Sequence, residues 1–142
     1  MSRSIHADRI IGKNGEDKVK DALAQAFNDT LTKTDTFHPM DWAGCGCWVE
    51  IKTRPNLFSH SFPTLMLSYS KIEFAKKSDR PVYIVFQLKD GLFYITFDEQ
   101  KFANYEVRDF GRTDRNDAND KPQPHIYIPV KDLTKINVLP SL

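Results

Sequence analysis

Apolar residues near the start of the chain recur at three- and four-residue spacing from Gly15 onward: Val19, Ala22, Leu23, Ala26 and Phe27. That period predicts an amphipathic helix, with Asn14 available as its cap and Glu16 and Asp17 in a first turn whose free amides favour acids. The pattern then changes to alternation. Thr30 to Phe37 is rich in threonine, a second extended stretch begins at Met40, and Gly44-Cys45-Gly46-Cys47 supplies small turn residues. Trp48 to Thr53 reads as the hairpin partner of the Met40 stretch. Residues 54–64, with Pro55, Asn56, Ser59 and Pro63, read as a loop, and Tyr69 to Lys77 places Ile72, Phe74 and Ala75 as a second, shorter helix would.

Pro81 to Leu88 is almost continuously apolar, the mark of a central strand, and Lys89-Asp90-Gly91 separates it from another strand, Leu92 to Phe97. Gly111 to Pro124 has no large apolar residue and reads as a long polar loop, functional or disordered. His125 to Pro129 reads as the last strand. No segment repeats. The order helix, three strands, helix, two strands predicts an α/β or α+β fold around a mixed sheet.

A length of 142 residues with 40% hydrophobic residues suffices for one core, so a single domain over 1–142 is expected. No apolar run approaches the roughly 20 residues that cross a bilayer, and the N-terminal sequence lacks a secretory apolar stretch, so a soluble, cytoplasmic protein is expected. Cys45 and Cys47 are too close in sequence for a stabilising disulfide. A net charge of +1, from 20 basic and 19 acidic side chains, gives no global sign of a nucleic-acid partner. Residues 1–80 carry 12 basic and 10 acidic side chains, however, and would become clearly positive if a metal neutralised three of the acids.

Those acids come from the hairpin and the first helix. In Trp48-Val49-Glu50-Ile51-Lys52, strand alternation sends Val49 and Ile51 to a core face and Glu50 and Lys52 to the other, polar face. If the hairpin turns symmetrically about Cys45 and Gly46, positions whose numbers sum to 91 oppose each other, and Asp41 faces Glu50. Like charges so opposed destabilise a sheet unless a cation lies between them. Carboxylates, the backbone carbonyl of Ile51, water and phosphate suit a hard ion, Mg²⁺ or Mn²⁺. Lys52, two residues from Glu50, projects into the same site, where it can orient or deprotonate an attacking water and offset charge growing on a phosphate.

Met40-Asp41 followed by Glu50-Ile51-Lys52, with helical Gly15-Glu16 before them, resembles the PD-(D/E)-x-K nuclease superfamily, and within it the small phage-type endonucleases and Holliday junction resolvases. Met40 departs from the family's proline, although Pro39 lies one residue earlier. The resemblance covers residues 12–97 as a restriction-endonuclease-like αβββαβ core, leaving 98–142 as a C-terminal extension with the polar loop 111–124. It implies Asp41 and Glu50 as metal ligands, Glu16 as an auxiliary ligand and Lys52 in catalysis. It further implies hydrolysis of DNA phosphodiester bonds, a branched-DNA substrate of the kind met in recombination, a homodimer, and, for a phage protein, action in the host-cell cytoplasm. Two alternatives stay open: a restriction-like, nicking or repair endonuclease acting on duplex or single strands, and a non-catalytic DNA-binding protein on a nuclease fold.

Arg54, Arg112 and Arg115 are candidate phosphate contacts, since guanidinium binds phosphate in bidentate fashion. Lys71 belongs either to a solvated helix face or to a helix bordering the site and its DNA. Cys45, Cys47 and nearby His38 have poor zinc spacing and read as turn residues. Trp42 and Trp48 read as hairpin packing, with Trp48 on the face of Glu50.

Overall fold

The computed structural model describes residues 18–110 and 122–137. Helix α1 (18–27) is the amphipathic segment the apolar spacing predicts; Asn14, Glu16 and Asp17 lie outside the described residues. It ends where Asn28 turns into the left-handed region (φ 51°), a conformation asparagine tolerates better than most side chains.

The strands that follow are β1 (Thr32–Lys33), β2 (Trp42–Ala43), β3 (Trp48–Arg54) and β4 (Thr64–Ser68). Helix α2 (Tyr69–Lys77), β5 (Val82–Leu88), β6 (Gly91–Thr96) and α3 (Glu99–Phe102) come next. After β7 (Glu106–Phe110), β8 (Gln123–Pro129) and a 3-10 turn, β9 (Thr134–Ile136) is the last strand described. A six-stranded sheet runs β1-β2-β3-β5-β6-β9, and a three-stranded sheet runs β4-β8-β7. Among the described strands only β3 and β5 pair in parallel, because β4 and α2 form the crossover between them. The fold is therefore α+β with a mixed central sheet, compatible with a restriction-endonuclease-like fold.

Each face of the central sheet meets its own core. Val49, Val85 and Leu92 pack with Trp42, Ile136 and the Ala22 and Leu23 side of α1. On the opposite face Ile84, Phe86 and Val82 pack with Leu65 and Leu67 of β4, Ile126 and Ile128 of β8, and Ile72 and Ala75 of α2. Fully burying a Leu or Ile side chain contributes roughly 1.5–3 kcal/mol, so a second layer of such residues anchors this face firmly. The parallel register pairs Glu50 with Ile84 and Lys52 with Phe86. The expectation of a polar face for Glu50 is thus corrected: its strand is covered on both sides.

Other expectations change for tertiary reasons. The strand predicted over Thr30 to Phe37 shrinks to Thr32–Lys33, because residues 34–41 close into a loop tied by Thr34 N to Asp41 O (3.1 Å). Thr64–Ser68, whose first residue falls in the expected loop 54–64 and the rest in no predicted element, is a strand because β8, more than fifty residues later, pairs along it. His125–Pro129 extends to Gln123 and is followed by β9 on the edge of the main sheet beside β6. Gly91 (φ 142°) permits the turn into β6 that its position in Lys89-Asp90-Gly91 suggests. Among the described residues no helix is long and apolar enough to cross a membrane.

Candidate active site

The β2–β3 hairpin has the register its symmetry predicts: Trp42 pairs with Val49 and Ala43 with Trp48. The turn is tight because Gly44 leaves room for Asp29, whose Cγ would lie 2.8 Å from any Cβ added there. The ladder does not reach Asp41. The Asp41 amide donates to the Val49 carbonyl (3.0 Å), so residues 41 and 42 share one partner, and the paired register stops at Trp42. Asp41 instead reaches β3 through its side chain, Oδ2 accepting from the Ile51 amide at 2.9 Å. The two carboxylates are neighbours, but by this bond and not by facing each other across a ladder.

Glu50 is the buried acid of this pair, 1% exposed in the midst of an apolar face. Lys52 Nζ lies 3.3 Å from its Oε1 and Lys71 Nζ 3.3 Å from its Oε2. Oε2 is held by that ion pair with Lys71, and among the described residues it has no hydrogen bond, Lys71 directing its own to the Pro39 carbonyl. Burial, and then the charge of Asp41, push the Glu50 carboxyl above the usual carboxylate range, while Lys71 and Lys52 pull in the other direction. A buried charge so imperfectly satisfied is costly and favours any further cation that reaches it.

A cleft of about 390 Å³ opens on the side of β3 toward α1, lined by Asp41, Val19, Lys33, Trp42, Ile51, Thr53 and Gln87. Glu50 and Lys52, on the other face, do not line it; Asp41 is the acid common to the cleft and the Glu50 cluster. Arg54 sits at the end of β3, its Nη1 donating to the Thr53 carbonyl at 3.1 Å. Glu16, Arg112 and Arg115 lie outside the described residues. Among the described residues no three of His, Cys, Asp and Glu converge as a metal cluster.

Sequence left Lys71 between a solvated helix face and the site; it lies on the site, because α2 packs over the Glu50 face. His38, in turn, is committed to packing: its ring stacks on Trp48 (4.7 Å), meets Phe74 edge-on, and its Nδ1 accepts from the Met40 amide (3.0 Å). Trp48 is also covered by the Arg80 guanidinium at 4.7 Å. Cys45 and Cys47 are turn residues as read. Sequence reasoning missed Asp29, which accepts from the Cys45 and Gly46 amides (both 2.9 Å), the Thr30 amide (2.7 Å) and Cys47 Sγ (3.3 Å). Those bonds hold its pKa down at about 2. Asn28-Asp29 is a helix-end signal, but nothing local reveals partners sixteen to eighteen residues away.

A family model described as "Phage putative PDDEXK endonuclease" matches residues 7–136, a span that takes in Asp41, Glu50, Lys52 and every strand from β1 to β9. No curated protein matches the chain.

Proposed function

Because the chain belongs to the phage PDDEXK endonuclease family, we propose that it is a divalent-metal-dependent endonuclease hydrolysing DNA phosphodiester bonds, with branched DNA its preferred substrate. The observation that carries this reading is Glu50: a carboxylate 1% exposed, with a second acid nearby and a lysine at 3.3 Å on each of its oxygens. That pair of carboxylates fits a hard cation, which needs oxygen ligands and would take the place of Lys71 at Oε2. Asp41, Glu50 and the Ile51 carbonyl would hold Mg²⁺ or Mn²⁺, with Glu16 as an auxiliary ligand. When bound, the ion supplies Lewis-acid polarisation of the phosphate and a more acidic water.

The chain's own groups do the rest. Lys52 holds its ammonium beside Glu50 and is placed to orient the attacking water and to meet negative charge growing on the phosphate. Lys71, a four-methylene side chain anchored on α2, is able to turn toward a DNA phosphate once Glu50 has another counter-charge, and Arg54 offers a guanidinium at the open end of β3. Arg112 and Arg115 are assigned to DNA contact, and a homodimer working in the host cytoplasm would present two sites to opposing strands of a junction.

One observation favours a second reading. Lys52 and Lys71 already neutralise Glu50, as they would in a DNA-binding protein that has kept the fold without the reaction. Labelled four-way junction, duplex and single-stranded DNA incubated with Mg²⁺, Mn²⁺ or EDTA separate the readings, with Lys52→Ala alongside. Metal- and Lys52-dependent cutting of the junction is expected. Cutting of duplex or single strands alone moves the substrate to restriction-like, nicking or repair activity, and metal-independent binding without cutting by the wild type overturns the nuclease reading.

A further inference from the structure

Phe37 is 98% exposed, the most exposed of the large apolar side chains among the described residues. An aromatic ring left in water is ordinary on a loose loop, but this loop is tied on both sides of it. Thr34 Oγ1 bonds the Met40 carbonyl and, at 3.0 Å, that of Asp41; the His38 amide closes a turn onto Asp35 (3.1 Å). Lys71 grips the Pro39 carbonyl, and Met40 is buried. The residue after Phe37 is fixed by the stack of His38 on Trp48, so the ring projects from a braced tip. The C-terminal leg of the same loop is Asp41, four residues on and tied back to Thr34, so a single loop carries both the ring and a candidate metal ligand.

On the nuclease reading above, we propose that Phe37 is a base-stacking residue that selects DNA with an unpaired, unstacked base close to the phosphate to be cut. A ring with only two side-chain torsions, carried on a braced backbone, loses little freedom on stacking, and every base offers a π-face. Continuous duplex hides those faces in its own stack, so the ring gains nothing from it. A protein surface would also cover an exposed ring, but among the described residues of its loop Phe37 has polar neighbours and no second exposed apolar side chain to build such an interface: Asp35 is exposed beside it, and Thr34 and His38 are half-buried.

The test uses the full chain in EDTA, so that binding is read without cutting. A forked duplex with 2-aminopurine in its unpaired arm is compared with the same sequence fully paired, for wild type, Phe37→Ala and Phe37→Trp. Phe37→Ala is expected to melt with the wild type, to lose about tenfold in affinity for the fork and none for the duplex, and to abolish quenching of 2-aminopurine; Phe37→Trp restores both. In Mg²⁺, the same change should raise KM on the fork and spare kcat. Unchanged fork affinity, equal loss on both DNAs, or a change of oligomeric state without loss of quenching would each overturn the proposal. Wild-type cleavage is scored separately. Selective loss without any cleavage upholds Phe37 and removes the nuclease reading, and cleavage without selective loss does the reverse.

Discussion

Two carboxylates in this molecule have opposite surroundings. Asp29, at the end of α1, is partly exposed and accepts four hydrogen bonds, three from amides and one from a thiol, and its pKa falls to about 2. Glu50, in the middle of β3, is buried in an apolar layer with only the ammonium groups of Lys52 and Lys71, among the described residues, against its oxygens, and its pKa rises. Asp29 is saturated, and its work is done when it has pinned the β2–β3 turn. Glu50 is desolvated and held by two lysines instead of by amides, and a buried acid with its pKa so displaced is the kind met at functional sites. Hydrogen-bond saturation thus separates the acid that holds the hairpin from the one proposed to use it.

The largest effect should come from exchanging the two acids for their amides. Glu50→Gln is expected to lower metal-dependent DNA cleavage by about 10²–10³-fold, and Lys52→Ala by a similar factor, while Asp29→Asn leaves the rate constant intact in whatever protein remains folded. Equal losses from Glu50→Gln and Asp29→Asn in gel assays of nicked product would erase the distinction.

Metal addition sharpens the same contrast through stability. At a hundred times its Kd, Mn²⁺ should stabilise wild type and Asp29→Asn by about 2.7 kcal/mol, and EDTA should reverse the shift. Glu50→Gln should melt at the same temperature with or without Mn²⁺. A shift that survives Glu50→Gln would mean that the ion binds elsewhere.

Acid should act on Asp29 in a defined window. Its folded pKa of about 2 lies below the ordinary 3.8, so its contribution is fully present above about pH 4 and is lost as pH falls toward 2. Denaturant titrations from pH 5 to 2 should show a steeper loss for wild type than for Asp29→Asn, by up to one proton in the slope; parallel profiles would deny Asp29 its role.

The smallest effect concerns the thiols on the turn. Burial and the neighbouring Asp29 push Cys47 up to about 12, whereas Cys45 is exposed. Ellman's reagent at pH 8 should find one thiol in the native protein and two after denaturation, since the thiolate is the reactive form. Two rapidly reacting native thiols would show that the Asp29 cradle opens readily.

Much of this was readable along the chain. The period of Val19, Ala22, Leu23 and Phe27 fixed α1, the apolar run Pro81–Leu88 fixed a central strand, and the small residues 44–47 fixed a hairpin whose predicted register holds as far as Trp42 but not to Asp41. Asp41, Glu50 and Lys52 stood out because alternation and turn symmetry are local rules of covalent geometry. What sequence did not determine was what covers them. Whether Glu50 faces water or an apolar layer depends on β4, α2 and β8 arriving from distant parts of the chain, and burial is a sum over neighbours that no local period encodes. The link from Lys71 to Glu50 and Pro39, and that from Asp29 to Cys45 and Gly46, join residues sixteen or more positions apart. Only the folded chain brings such groups within hydrogen-bond reach, and so only the tertiary structure decided which carboxylate was saturated by amides and which was buried against two lysines.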